Sequence, residues 1–310
     1  MNLIFDKLVE AKTDNRAVAD RLRKSSGPTQ TYGHYGSMSE MSLDEMDLWV
    51  TRASYVSLLL EPMWIDNDME SPMSNATGFV VEHGNVHFLV TNRHVMSGWD
   101  PVNEEYLMGV APTHLEIRHN APGPRGSWIT TREPLITDSG EALWREHPNG
   151  PLIDIAVLPL TELEGVELFT QEVGPPENDD GTPMDIALYP TQQLSVVGYP
   201  FGRRVSGDGP AIWAQAFIAS EFDRDFNGQP RFLIDGRTRK GQSGSPVIYT
   251  AHGAAVPLRG NVTMAAMSID SYLLGVYSGR INAESDLGYV WKTSAMLETL
   301  SHGVAPKNPS

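Results

Sequence analysis

The chain has 310 residues, enough for two compact domains or one domain built in two halves, and its 40% hydrophobic content can support a full core. Lys and Arg number 23 against 39 Asp and Glu, a formal charge of −16, which argues against nucleic acid or an anionic membrane as the main partner because phosphates would be repelled. There is no cysteine, which excludes disulfides, thiolate metal sites and a cysteine nucleophile.

No stretch approaches the roughly 18 apolar residues of a membrane span. The first residues, MNLIFDKLVEAK, carry Asp6, Lys7 and Glu10 where a secretory signal needs an unbroken apolar core. The expectation is a soluble, cytoplasmic chain. Residues 2–24 read as one or two short helices, with Leu3, Ile4 and Leu8 on one side and Val18 and Leu22 four apart. Residues 25–40 are rich in Gly and Ser and read as a linker. Ser42-Leu-Asp-Glu45 is a capping-box pattern that opens a short helix toward Trp49. Residues 1–52 are thus expected to form a helical arm, either packing decoration, an oligomer contact or a cover over a site.

From about residue 53 the texture changes to strands. Tyr55–Leu60 is a short apolar run, and 77–82 and 86–91 flank His83-Gly84-Asn85, a hairpin signal. Further strands are predicted over 114–119, 152–160, 194–199, 212–219, 231–235, 245–250 and 272–278, separated by turn chemistry at 121–126, 175–181 and 199–204. A helix is predicted from Thr293 to about Gly303, with Met296, Leu297 and Leu300 buried. Many short strands and one closing helix indicate all-β barrels. The Pro/Asp/Gly stretch at 174–183 divides them, into 53–174 and 175–303, with 304–310 as a tail.

Gly241-Gln-Ser-Gly-Ser-Pro246 carries the strongest chemical signal. Glycines on both sides of Ser243 permit a tight, irregular backbone. Such a turn can aim the amides of Gly241 and Ser243 at one point, an oxyanion hole in which each donor is worth about 10²–10³ in rate. A serine hydroxyl alone is a poor nucleophile, so a base and an orienting group are needed. His94 ends the apolar strand of Leu89-Val-Thr-Asn-Arg-His-Val95, followed by residues that suit a helical turn, and its neutral imidazole can take and return a proton. Asp154 is an isolated carboxylate within Leu152-Ile-Asp-Ile-Ala-Val-Leu158. A buried carboxylate needs partners, and the His94 ring N–H would satisfy it and fix the tautomer.

These three segments resemble the trypsin-like (chymotrypsin-fold) serine proteases, particularly bacterial members without disulfides. The order His, Asp, Ser is the family's, with spacings of 60 and 89 residues. Thr77-Gly78-Phe79, Val196-Val-Gly-Tyr-Pro200 and Leu274-Gly-Val-Tyr-Ser-Gly279 resemble further family strands, so the likeness covers about residues 53–300. The resemblance implies two six-stranded antiparallel Greek-key barrels with a C-terminal helix. It implies a serine endopeptidase with His94 as base, Asp154 as orienter, Ser243 as nucleophile, and Gly241 and Ser243 as oxyanion donors. It places Arg237 and Thr238 at the base and wall of the primary pocket, with Tyr277, Ser278 and Gly279 opposite. Arg237 argues against a Lys/Arg preference, and acidic or polar side chains before the cut are expected. Ser245 stands where many members have glycine, though bacterial members also use serine.

The expected partner is a protein or peptide substrate, with no cofactor and no metal. His83 and His87 stand across a hairpin tip and are read as solvated turn residues rather than zinc ligands; Asp179-Asp180-Gly181 is read as a solvated crossover rather than a calcium loop. Two alternatives compete. One is a trypsin-fold binding module without turnover. The other is an α/β-hydrolase esterase using Ser243, then Asp270 or Asp286, then His302; it lacks the second glycine of the nucleophile elbow, because Ser245 occupies that place.

Overall fold

A computed structural model describes residues 51–306, apart from 67–68, 102, 125, 179, 203–208, 261 and 283. The expected N-terminal helices and linker therefore lie outside the described residues, as do Asp179 and most of the tail. Val50–Ser310 forms one compact unit. Its first half holds helix α1 (Arg52–Val56) and strands β1 (Ser57–Asp66), β2 (Met69–Pro72), β3 (Ala76–His83) and β4 (Val86–Thr91). Helix α2 (Arg93–Ser97) follows, then β5 (Trp99–Asp100), β6 (Glu105–Tyr106), β7 (His114–Asn120), β8 (Trp128–Pro134), β9 (Arg145–Glu146) and β10 (Ala156–Pro159). The second half holds β11 (Gln193–Gly198), β12 (Ile212–Ile218), β13 (Arg231–Asp235), β14 (Pro246–Leu258), β15 (Val262–Arg280), β16 (Leu287–Lys292) and helix α3 (Thr293–His302).

The chain is mostly strand, as its texture predicts, and the named ladders are antiparallel. The second half closes into a six-stranded barrel in the order β11-β12-β13-β16-β15-β14. The first half is an eight-stranded sheet in the order β8-β7-β1-β3-β4-β10-β9, with β2 paired to β1. Its end strands β8 and β9 are not paired to each other among the described residues, so this half differs from the six-stranded closed ladder expected. Isolated bridges instead tie Glu167 to Asn120 and Thr170 to Val80.

Three apolar clusters explain why consecutive residues are buried along single strands. Leu58, Leu60, Leu89 and Ile117 belong to a cluster within the sheet half. Val196, Phe232, Val247 and Val290 fill the barrel. Leu59, Phe79, Val90, Val197, Ile248 and Trp291 form a third cluster shared by sheet and barrel. Side chains alternate faces along a strand, so Leu58-Leu59-Leu60 serves two cores in three residues. Helix α3 adds Met296 and Leu300 to the shared cluster. Leu297 is 40% exposed, contrary to the sequence expectation; Thr299, three residues after Met296, takes a buried place instead. No described helix is long and apolar enough to cross a membrane.

Candidate active site

The β3–β4 hairpin delivers His94. Its two turn residues, Gly84 and Asn85, have φ of 58° and 63°, the left-handed pair that matches strand twist in a tight hairpin. Strand β4 then runs apolar to Thr91 and breaks at Asn92, which is extended, and α2 begins at the next residue. The turn ends at Gly98, whose N–H donates to the His94 carbonyl at 2.9 Å. His94 is thus held at the junction of a strand and one helical turn.

Asp154 lies just ahead of β10, outside the ladder, where the sequence suggested a strand already under way. Leaving the ladder frees its carboxylate to collect donors. Oδ1 accepts the His94 backbone N–H at 2.9 Å, and Oδ2 accepts the His94 Nδ1–H at 2.8 Å. Oδ2 also accepts the Ser278 hydroxyl at 2.6 Å. The Asn92 amide donates to the Asp154 carbonyl at 2.8 Å and fixes the backbone. With Nδ1 donating, Nε2 keeps its lone pair.

The His94 side chain is 26% exposed and that of Asp154 is 20% exposed. Burial pushes the His94 pKa down, but the charge and hydrogen bond of Asp154, with the charge of Asp100, outweigh it and raise the pKa above the usual 6.5. The Arg93 guanidinium opposes this rise. Arg93 is itself buried and donates Nε–H to Glu146 at 2.5 Å, so its charge is compensated.

Ser243 sits on the turn entering β14. Gly241 and Gly244 have φ of 95° and 84°, which only glycine adopts without strain. A Cβ on Gly244 would lie 2.0 Å from the Thr77 carbonyl oxygen, and one on Gly241 would lie 2.3 Å from the Tyr199 carbonyl oxygen. Within this turn the N–H groups of Gln242, Gly244 and Ser245 donate to Arg239, Tyr277 and Gln242 carbonyls at 3.2, 2.8 and 3.0 Å. Those of Gly241 and Ser243 have no protein acceptor among the described residues. The turn also braces itself: the buried Gln242 side chain accepts the Arg239 N–H at 2.7 Å.

The Ser243 hydroxyl donates to the Ser278 carbonyl at 3.4 Å. No hydrogen bond joins it to His94 among the described residues. Ser278 therefore touches both parts of the site, through its carbonyl to Ser243 and through its hydroxyl to Asp154. Sequence reasoning placed Ser278 on a cleft wall and missed this second contact, because only the register of β15 against the Asp154 turn reveals it. Ser278 and Gly279 lie on β15 beside Ser243. Tyr277 points instead into the barrel core, 2% exposed, with its hydroxyl against that of the buried Thr238. Arg237 is at the surface, its side chain 83% exposed and 3.9 Å from Asp286.

The esterase alternative fails on the fold. Strand β14, not a helix, follows Ser243, and the strands pair antiparallel. Asp270, one of its candidate acids, is 86% exposed.

A family model described as the trypsin-like peptidase domain matches residues 76–257, from β3 through nearly all of β14. Among solved structures, the chain is similar to the serine endoprotease from Yersinia pestis, at 12% identity and a TM-score of 0.47, over 81% of this chain and 63% of that one. The chain thus spans just under two thirds of the Yersinia protein. It is also similar to the active form of the Rv3671c protease from M. tuberculosis, at 16% identity and a TM-score of 0.40, over 83% and 85% of the two chains. No curated protein sequence matches the chain significantly.

Proposed function

The chain belongs to the trypsin-like peptidase domain family, and from that premise we propose that it is a serine endopeptidase acting through Ser243, His94 and Asp154. The observation that carries the proposal is the Asp154 carboxylate, which accepts the backbone and ring N–H groups of His94 and the hydroxyl of the residue whose carbonyl meets Ser243. That arrangement fixes the tautomer a base needs and stabilises the imidazolium that forms.

In the first step Ser243 Oγ adds to the substrate carbonyl carbon and its proton passes to His94 Nε2. The oxyanion that develops accepts hydrogen bonds from the Gly241 and Ser243 N–H groups. The C–N bond then breaks, and His94 returns the proton to the departing amine. A water molecule adds to the acyl-enzyme, giving one proton to His94. Collapse frees the carboxylic acid and returns the proton to Ser243 Oγ. Asp154 remains ionised throughout. The serine hydroxyl needs only a rotation about its Cα–Cβ bond to leave the Ser278 carbonyl, and loose contacts of this kind are common before substrate binds.

For the fold we propose that 53–174 and 175–303 are the two barrels of this architecture, the first curling without a complete ladder. For specificity we propose acidic or polar side chains before the cut. The exposed Arg237 charge supports this, since it would repel a substrate Lys or Arg; Thr238 and Tyr277 are buried against each other and add no support. Digestion of casein and of a peptide library tests both statements. Wild type should cut and Ser243→Ala should lose at least about 10³-fold in rate. Undiminished cutting by Ser243→Ala would end the proposal, and a Lys/Arg preference would end the specificity assignment.

A further inference from the structure

The amides of Gly241 and Ser243 can serve one oxygen only if the peptides on either side keep their orientation. Three carbonyls in this turn are anchored. The Lys240 carbonyl accepts the Phe201 N–H at 2.6 Å. The Gly241 carbonyl accepts the Thr77 hydroxyl at 2.7 Å. The Ser243 carbonyl accepts the Thr77 N–H at 2.8 Å. In a planar trans peptide the C=O and N–H point in opposite directions. Anchoring the Lys240 carbonyl on Phe201 therefore turns the Gly241 N–H away from the 199–202 turn.

The Thr77 hydroxyl acts on the Gly241–Gln242 peptide, which lies between the two donor amides, and on the 199–202 turn. As donor it fixes the Gly241 carbonyl. As acceptor it takes the Tyr199 N–H at 3.0 Å, at the start of the turn that presents the Phe201 N–H. That turn is strained, because Phe201 has φ of 59°, which a bulky side chain rarely adopts. A strained turn holds its shape only when its surroundings fix it. Thr77 is 0% exposed, so no water replaces its hydroxyl. It stands on β3, in the sheet that also leads to His94, and its own carbonyl is held by the Thr91 hydroxyl at 2.8 Å.

We propose that the Thr77 hydroxyl is a positioning group for the oxyanion hole, tying the 240–243 turn to the 199–202 turn from the sheet that carries the base. Thr77 does not touch substrate. It acts through the Gly241–Gln242 peptide that links the two donor amides, and through the turn whose Phe201 N–H anchors the Lys240 carbonyl. This rests on the peptidase reading above.

The test compares Thr77→Val, which keeps the shape and removes the hydroxyl, with Thr77→Ser, which keeps the hydroxyl. The substrate is an internally quenched peptide spanning the casein bond cut fastest. Thr77→Val should lose about 10- to 100-fold in kcat with KM changed less than about threefold, because misdirected donors weaken the transition state more than the ground state. Its affinity for a peptidyl boronate, whose tetrahedral adduct places an oxygen in the hole, should fall in parallel. Thr77→Ser should recover most of both. Should Thr77→Val fold poorly by circular dichroism, Thr77→Ala removes the same hydroxyl without the second methyl. A hydroxyl-free variant with wild-type kcat, a kcat loss without weaker boronate binding, or a Thr77→Ser as impaired as Thr77→Val would each overturn the inference. A wild-type chain that cuts nothing would bring down the peptidase reading as well, whereas an active wild type beside an undiminished Thr77→Val brings down this inference alone.

Discussion

His94 is pulled in two directions. Burial disfavours its charged form, and the carboxylates of Asp154 and Asp100 favour it more strongly, so the net pKa lies above the usual 6.5. Protonation has opposite effects on stability and on chemistry. A pKa raised by folding means that the protonated pair with Asp154 stabilises the fold below the unfolded value, and that this contribution fades as pH rises through the folded value. The base must be neutral to act. Activity should therefore fall on acidification with a midpoint above 6.5. Replacing Asp154 with Asn removes the largest upward influence and leaves burial and Arg93 opposed only by the charge of Asp100. The residual activity of that variant, about 10⁴-fold lower, should show its acid limb at lower pH. A limb unmoved by Asp154→Asn, measured on kcat/KM, would contradict the assignment of Asp154.

The elements that carry these residues were legible to different degrees. The β3–β4 hairpin was read to within a residue or two, because two strand-like runs flank His83-Gly84-Asn85 and agree on one turn. Asp154 was read inside a strand over 152–160, whereas pairing starts only at Ala156. An apolar run does not show where backbone hydrogen bonds begin, and here pairing starts two residues after the carboxylate. Strand β16, Leu287–Lys292, was missed, since it is short and holds a glycine and a lysine. Its burial comes from pairing with β13, distant in sequence, as well as with β15, which directly precedes it. Helix α3 was found by its periodicity, but its buried face was read one residue too wide at Leu297. The contrast is measurable. Met296→Ala removes a fully buried side chain from the cluster shared by sheet and barrel and should cost about 2–5 kcal/mol. Leu297→Ala should cost less than about 0.5 kcal/mol. Equal losses on urea denaturation would refute this placement of the helix.

Across the whole molecule, the candidate triad draws on elements far apart in the chain. The sheet supplies His94 and Asp154, and the barrel supplies Ser243 and Ser278. The order and spacing of the three motif residues suggested a common site. The bonds that hold it, through Ser278 and Thr77, were not legible, because a lone Ser or Thr in a strand carries no local sign of its partner across the seam. The long apolar seam between sheet and barrel makes the site's geometry a property of the entire fold. The central claim is that Ser243 is the activated nucleophile of this fold, and fluorophosphonate labelling of the full chain, followed by mass-spectrometric mapping of the adduct, tests it most directly. The account predicts a single adduct on Ser243 in wild type, strongly slowed in His94→Ala. An adduct on another residue, or no reaction at a pH where His94 is neutral, would contradict it.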